Sequence, residues 1–199
     1  MKTISFVFLA YLSSSFIGPE QLSIGDKAPK TELKMMGIDD RPVSLDDLKK
    51  KNGLCVIFSC NTCPYVIAWE DRYNELSKVC NENNIGFVLV NSNEAKRNGD
   101  DSMANMKAHA KEIGYDGFAY VVDEKNVLAD AFGATKTPDV FLFTGKMELA
   151  YKGAIDDNSK DKSAVEEPFL KKALEAMKAG LPVDPAETKA IGCSIKRTS

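Results

Sequence analysis

The sequence holds one histidine, His109, and no second Cys-x-x-Cys beside the one at Cys60 and Cys63. A zinc ribbon needs a further cysteine pair or a histidine pair, so this supply of ligands argues against one. Charge of neither sign prevails. Lys+Arg total 26 against 29 Asp+Glu, a net charge of -3, with no basic stripe and no acidic tail, which argues against a nucleic-acid partner. No apolar run approaches the ~20 residues of a spanning helix, so no stable membrane insertion of the mature domain is expected. Internal repeats and low-complexity blocks are lacking. The five cysteines are odd in number and their spacings make no small disulfide framework. With 199 residues, 44% of them hydrophobic, the chain can bury a core without staples.

The start differs from the rest. In "MKTISFVFLAYLSSSFIGPEQ", Lys2 precedes an apolar stretch over 4–12 and then Ser13, Ser14 and Ser15. That order reads as a secretory signal peptide over 1–18, although no clean A-x-A cleavage pattern is present. An uncleaved anchor or a disordered start is the plainer reading. A signal implies an exported bacterial protein, periplasmic or secreted. Without a working signal the chain would stay cytoplasmic. Export would put it where disulfides persist, so a cysteine pair that cycles there needs a reductant.

Strand and helix periods alternate beyond residue 24. A short strand is expected within 31–36. Ser44 with Asp47 three residues on makes a capping box for a short helix through Lys50. "LCVIFS", 54–59, is continuously apolar, as in a strand covered on both faces. From Pro64, the residues Val66, Trp69, Tyr73, Leu76 and Cys80 recur at steps of three and four on one helix face. Further strands are predicted at 85–91 and 118–123, with helices over 101–113 and 126–132 ending at Gly114 and Gly133. The segments 140–144 and 148–153 flank "GKM" as a hairpin. A last amphipathic helix is predicted over 163–179, then a linker-like tail, 180–199. The pattern predicts an α/β fold, a mixed sheet with helices on both faces.

Cys60 stands where a strand hands over to a helix, in "FSCNTCPYVI". Free N–H groups and the helix dipole favour a thiolate there. Pro64 suits the first helical turn. Residues three apart at a helix start lie roughly 5 to 6 Å apart, within disulfide reach. Cys60 is thus the expected attacking thiolate and Cys63, one turn in, the resolving thiol. The spacing by itself also admits half a metal site or a structural pair. Beside a βαβ pattern it reads first as redox.

"VIFSCNTCPYV", then "VLVNSN", then "TKTPDVFLF" resemble the thioredoxin-like superfamily. More narrowly they resemble the redoxin, or alkyl hydroperoxide reductase and thiol-specific antioxidant (AhpC/TSA), type of domain, and bacterial TlpA-like thiol-disulfide oxidoreductases. The ending "TKAIGCSIK" resembles tails in this group. The resemblance implies a thioredoxin-like fold over 24–179. It also implies a cis peptide bond at Thr137-Pro138 facing the cysteines, with the Thr137 backbone open to an incoming substrate strand. No organic cofactor and no metal is implied. The implied partners are protein dithiols or disulfides and an upstream thiol redox protein. A monomer is expected.

The sequence also departs from the pattern. Ser59 replaces the usual tryptophan before the first cysteine. Leu54 stands where a buried acid often serves the second, which leaves Glu94 as a candidate proton acceptor with a solvated loop charge as its plainer reading. A peroxidase motif P-x-x-x-[TS]-x-x-C would need proline at Gly53 or Val56. The missing proline argues against a thiol peroxidase, which stands as an alternative together with a Sco-like copper chaperone using Cys60, Cys63 and His109. His109 itself reads as a surface residue. Cys55, Cys80, Tyr65 and Trp69 read as packing residues. Cys193 is a possible accessory thiol in a tail that could fold back and pair with Cys60 or relay electrons. Its plainer reading is a loose thiol or a structural pairing.

Overall fold

The computed structural model describes residues 21–198, so the expected signal peptide lies outside the described residues. The described chain opens with the antiparallel pair β1 (Met35–Gly37) and β2 (Pro42–Val43). Only the end of the strand expected over 31–36 is extended. The Ser44 hydroxyl then accepts the Asp47 N–H at 3.4 Å, while the Ser44 N–H donates to Asp47 at 2.8 Å. This closed capping box opens α1 (Leu45–Leu48).

β3 (Gly53–Ser59) is buried at every residue, as its unbroken apolar run requires. The long helix expected after Pro64 comes in two pieces, α2 (Pro64–Trp69) and α3 (Tyr73–Glu82), joined by a 3₁₀ turn at Glu70–Arg72. At this break the Trp69 indole N–H and the Arg72 guanidinium both bond Asp156, at 2.6 and 3.0 Å. The apolar face survives, with Val66, Trp69, Tyr73, Leu76 and Cys80 all buried.

Next come β4 (Ile85–Asn91), α4 (Met103–Ile113), β5 (Ala119–Val122) and α5 (Val127–Phe132). Gly114 and Gly133 end the two helices in the left-handed region, at φ 73° and 64°. β6 (Lys136–Thr137) leads through Pro138 into the hairpin β7 (Asp139–Thr144) and β8 (Leu149–Gly153). The last helix, α6 (Phe169–Ala179), starts six residues later than its apolar pattern suggested. Pro168 is the cause, because a residue before proline is pushed out of the helical region.

Seven strands form one sheet in the order β2-β1-β5-β4-β3-β7-β8. β3, β4 and β5 are parallel, and the neighbours outside them are antiparallel. One face packs Cys55, Ile57, Leu89 and Leu142 against α2, α3, α4 and α6. The other packs Val56, Phe58, Phe141 and Phe143 against α1 and α5. The fold is therefore the expected mixed sheet flanked on both faces. Among the described residues, no helix is long and apolar enough to cross a membrane.

The segment read as a linker is strapped to the body instead. Thr188 N–H donates to the Lys152 carbonyl at 3.0 Å, and Lys152 N–H to the Ala186 carbonyl at 3.1 Å. Farther on, β9 (Cys193–Ser194) pairs antiparallel with β6, and Ile195, only 5% exposed, enters the second core face. Backbone pairing and a buried isoleucine hold what composition alone marks as polar and loose.

Candidate active site: three thiols beneath the tail

Cys60 and Cys63 follow the C-terminal end of β3, where α2 begins. The N-cap of α2 is Cys63, not Cys60, with Pro64 in the first turn. The field of the helix therefore acts first on Cys63, against the sequence expectation. Both thiols are covered, at 2% and 4% exposure. The Cys60 sulfur lies 3.5 Å from the Thr137 hydroxyl, and the Cys63 thiol donates to the Thr137 carbonyl at 3.2 Å. The Thr137-Pro138 bond is cis, as expected, and Asp184-Pro185 is cis as well.

A third thiol completes the cluster. Cys193 sits opposite Thr137 in the β6–β9 register, across from the residue whose carbonyl bonds Cys63. Cys60, Cys63 and Cys193 line a hollow of about 220 Å³ with Thr62, Pro64, Asn93 and Lys196. All three are free thiols.

The two thiols of the pair shift each other in opposite directions. The Cys60 thiol beside it holds Cys63 well below the usual thiol range, and the Cys193 thiol with the N–H groups of Val66 and Cys193 adds to this. Cys60 is pushed up by that same neighbour, by burial and by the negative charge of Asp101. Ionising one thiol of such a pair holds the proton on the other.

Asp101 was not legible as a site residue. It is fully buried and accepts from the Asn61 N–H at 2.9 Å, from Asn91 Nδ2 at 2.8 Å and from Asn93 Nδ2 at 3.0 Å. The Tyr120 hydroxyl donates to Asn61 Oδ1 at 3.0 Å. This network fixes the loop between the two cysteines from behind. The one signal for it was "NSN", 91–93, at the C-terminal end of a parallel strand, where α/β sheets collect their sites.

Glu94 is turned elsewhere. It accepts the Lys125 N–H at 3.2 Å, lies 3.7 Å from Arg97, and does not line the hollow. His109 is not a free surface residue, since its side chain is 16% exposed and its Nε2 lies 2.8 Å from Glu70. Among the described residues, no three His, Cys, Asp or Glu side chains are grouped to hold a metal ion. Cys55 and Cys80 are core residues, both fully buried.

Comparison with known proteins gives a family and shared folds. A family model described as the AhpC/TSA family matches residues 24–152. The fold is similar to that of an uncharacterized conserved protein from Geobacillus kaustophilus, at 32% identity and TM-score 0.80, over 88% of this chain and 93% of that one. It is also similar to a hypothetical protein from Sinorhizobium meliloti 1021, at 28% identity and TM-score 0.81, over 90% and 97%. A putative thiol:disulfide interchange protein DsbE from Chlorobium tepidum shares the fold at 18% identity and TM-score 0.60, over 80% and 98%. Among proteins with curated descriptions, none matches the sequence.

Proposed function

The chain belongs to the AhpC/TSA family, and within it we propose a thiol-disulfide oxidoreductase working through Cys60 and Cys63. One observation carries the reading. Both sulfurs contact Thr137, one at its hydroxyl and one at its carbonyl, so the pair lies against a short strand edge where an extended peptide can dock. Cys60 attacks a partner disulfide once that edge is free. A bond forms between Cys60 and one partner sulfur, and the other partner sulfur leaves as thiolate and takes a proton. Cys63 then attacks Cys60. The Cys60–Cys63 disulfide forms and the partner is released fully reduced. Dithiol from an upstream thiol protein restores the pair.

The absence of proline at Gly53 and Val56 favours this reading over a peroxidase, and the bonding of His109 to Glu70 weakens the copper reading. We assign the redoxin domain to 24–179, the strapped tail to 180–199 and a signal to 1–18, with protein thiols of an exported compartment as substrates.

A redox titration tests the function. The full chain is equilibrated at graded glutathione ratios, alkylated, digested and mapped by mass spectrometry. A reversible two-electron couple that includes the Cys60–Cys63 disulfide supports exchange, and its potential gives the direction of electron flow. Thiols that stay reduced throughout, or rapid peroxide consumption by the reduced protein, overturn it.

A further inference from the structure

The tail lies where the substrate strand belongs. β9 pairs with β6, and Thr137, whose backbone would receive a partner peptide, is fully buried opposite Cys193. The seating is closely fitted on both sides of that cysteine. Before it, a Cβ on Gly192 would come within 2.3 Å of the Thr137 carbonyl oxygen, so only glycine lets the tail backbone approach this closely. After it, Ile195 N–H donates to the Thr135 carbonyl at 3.0 Å, and Lys196 N–H to Asn93 Oδ1 at 2.8 Å. The Ala95 N–H returns a bond to the Lys196 carbonyl at 2.9 Å. A loose tail would need none of this.

We propose that Cys193 is a third exchange thiol, presented by the tail as a substrate cysteine would be, and that it opens the Cys60–Cys63 disulfide by attacking Cys63. This rests on the exchange reading above. The step balances within the chain. A bond forms between Cys193 Sγ and Cys63 Sγ, and the Cys60–Cys63 bond breaks. The electron pair leaves on Cys60, which takes up the proton that Cys193 gave. Nothing is oxidised or reduced overall, and the step runs in both directions. Attack falls on Cys63 because that thiol meets the Thr137 carbonyl, on the backbone that Cys193 pairs with across β6–β9, while the Cys60 sulfur faces the Thr137 hydroxyl.

Two consequences follow. The oxidised protein is divided between a pair disulfide and a tail disulfide, and the second leaves Cys60 as a free thiol with the docking edge closed. Release of the tail withdraws Cys193 from the cluster and frees the Thr137 edge for an external disulfide. The tail thus couples access to the edge with the presence of the third thiol.

The test uses the full chain and its variants Cys60→Ser, Cys193→Ser and Cys60→Ser/Gly192→Val, oxidised with glutathione disulfide and mapped by mass spectrometry. Cys60→Ser is expected to form a Cys63–Cys193 disulfide in the monomer, at a rate independent of protein concentration. Adding Gly192→Val is expected to slow that reaction about tenfold or more, because the tail loses its local concentration at Cys63. If the valine variant fails to fold by circular dichroism, Gly192→Ala meets the same carbonyl and must slow it in the same direction. Only glutathione adducts or intermolecular dimers in Cys60→Ser, or a rate untouched by both glycine variants, overturn the proposal. Cys193→Ser keeps the two failures apart. A Cys60–Cys63 disulfide there, with no tail disulfide in Cys60→Ser, refutes the tail's part alone. Its absence refutes the exchange reading itself.

Discussion

Replacing Asp101 by asparagine asks whether the carboxylate behind the Asn61 loop keeps Cys60 protonated. Asp101 accepts three hydrogen bonds, two at Oδ1 and one at Oδ2. An asparagine can keep the oxygen that faces Asn61 and Asn91, but its NH₂ then meets the NH₂ of Asn93. Asn93 cannot simply turn over, because its own oxygen already receives the Lys196 N–H. A hydrogen bond to a charged group contributes about 1.5–3 kcal/mol and a neutral one about 1. One lost bond and two weakened ones therefore sum to about 4 kcal/mol. Against this, a neutral amide avoids the desolvation of a buried ion, which is itself several kcal/mol. This offsets about half of the loss, which should come to about 2 kcal/mol in urea unfolding.

The thiol should respond more sharply than the fold. The negative charge of Asp101 raises the pKa of Cys60, so its removal lowers that pKa. The assay is the pH dependence of iodoacetamide alkylation at Cys60, read by mass spectrometry with Cys63→Ser in both proteins so that one thiol of the pair titrates. Alkylation in Asp101→Asn should begin at lower pH. A profile that stays put, or moves to higher pH, in a protein shown to be folded would refute the charge argument and leave Asp101 with a loop-holding role alone.

Three other outcomes are expected. Asp139 is fully buried with one oxygen unpartnered, and burial raises its pKa from 3.8 to about 7. The folded state thus holds a proton that the unfolded state gives up. Its stabilising share is complete below about pH 4 and falls by about 4 kcal/mol as pH rises to 7. That slope should vanish in Asp139→Asn when unfolding midpoints are compared from pH 4 to 8. Asp156→Ala takes the partner from the Trp69 N–H and the Arg72 Nε, while Arg72 keeps Asp71 and the Ala68 and Asn158 carbonyls, and should cost about 2–4 kcal/mol by the same measurement. Cys55 and Cys80 should resist alkylation in the native protein and react only in denaturant, since both are fully buried and burial pushes the Cys55 thiol far up.

The parts of the fold that were legible are those where one local force decides. β3 and β4 are apolar runs of strand length, rich in β-branched and aromatic residues, and read as strands covered on both faces. Ser44 and Asp47 satisfy each other's N–H groups within four residues, so their box forms whatever surrounds it. Gly133 and Gly114 end helices because the left-handed region suits glycine best. The misjudged boundaries are those where a distant residue intervenes. Period alone carries the helix after Pro64 straight on, yet Asp156, far along the chain, gathers Trp69 and Arg72 at the break. The late start of α6 was legible after all, since Pro168 was there to be weighed against the apolar pattern.

The candidate site divides along the same line. The spacing of Cys60 and Cys63 and their place between strand and helix are local, and so is the threonine before a proline ahead of a strand. The distribution of charge among the thiols is not local. Sequence placed Cys60 at the helix start, yet the cap falls on Cys63, and the extra donors come from Cys193, 130 residues on. Asp101 reads as one more loop acid until three amide side-chain or backbone donors are seen to converge on it. The tail shows the limit most plainly. Its composition is polar, and among the residues that seat it are a glycine at 192, a cysteine at 193 and an isoleucine at 195. None signals a strand alone. Each acts only because β6 offers an edge, Thr137 offers a close carbonyl, and the second core face offers a place for Ile195. A segment that folds onto a site made by the rest of the chain carries its instructions in that site. Its period and composition, which are all a linear reading sees, stay those of a linker.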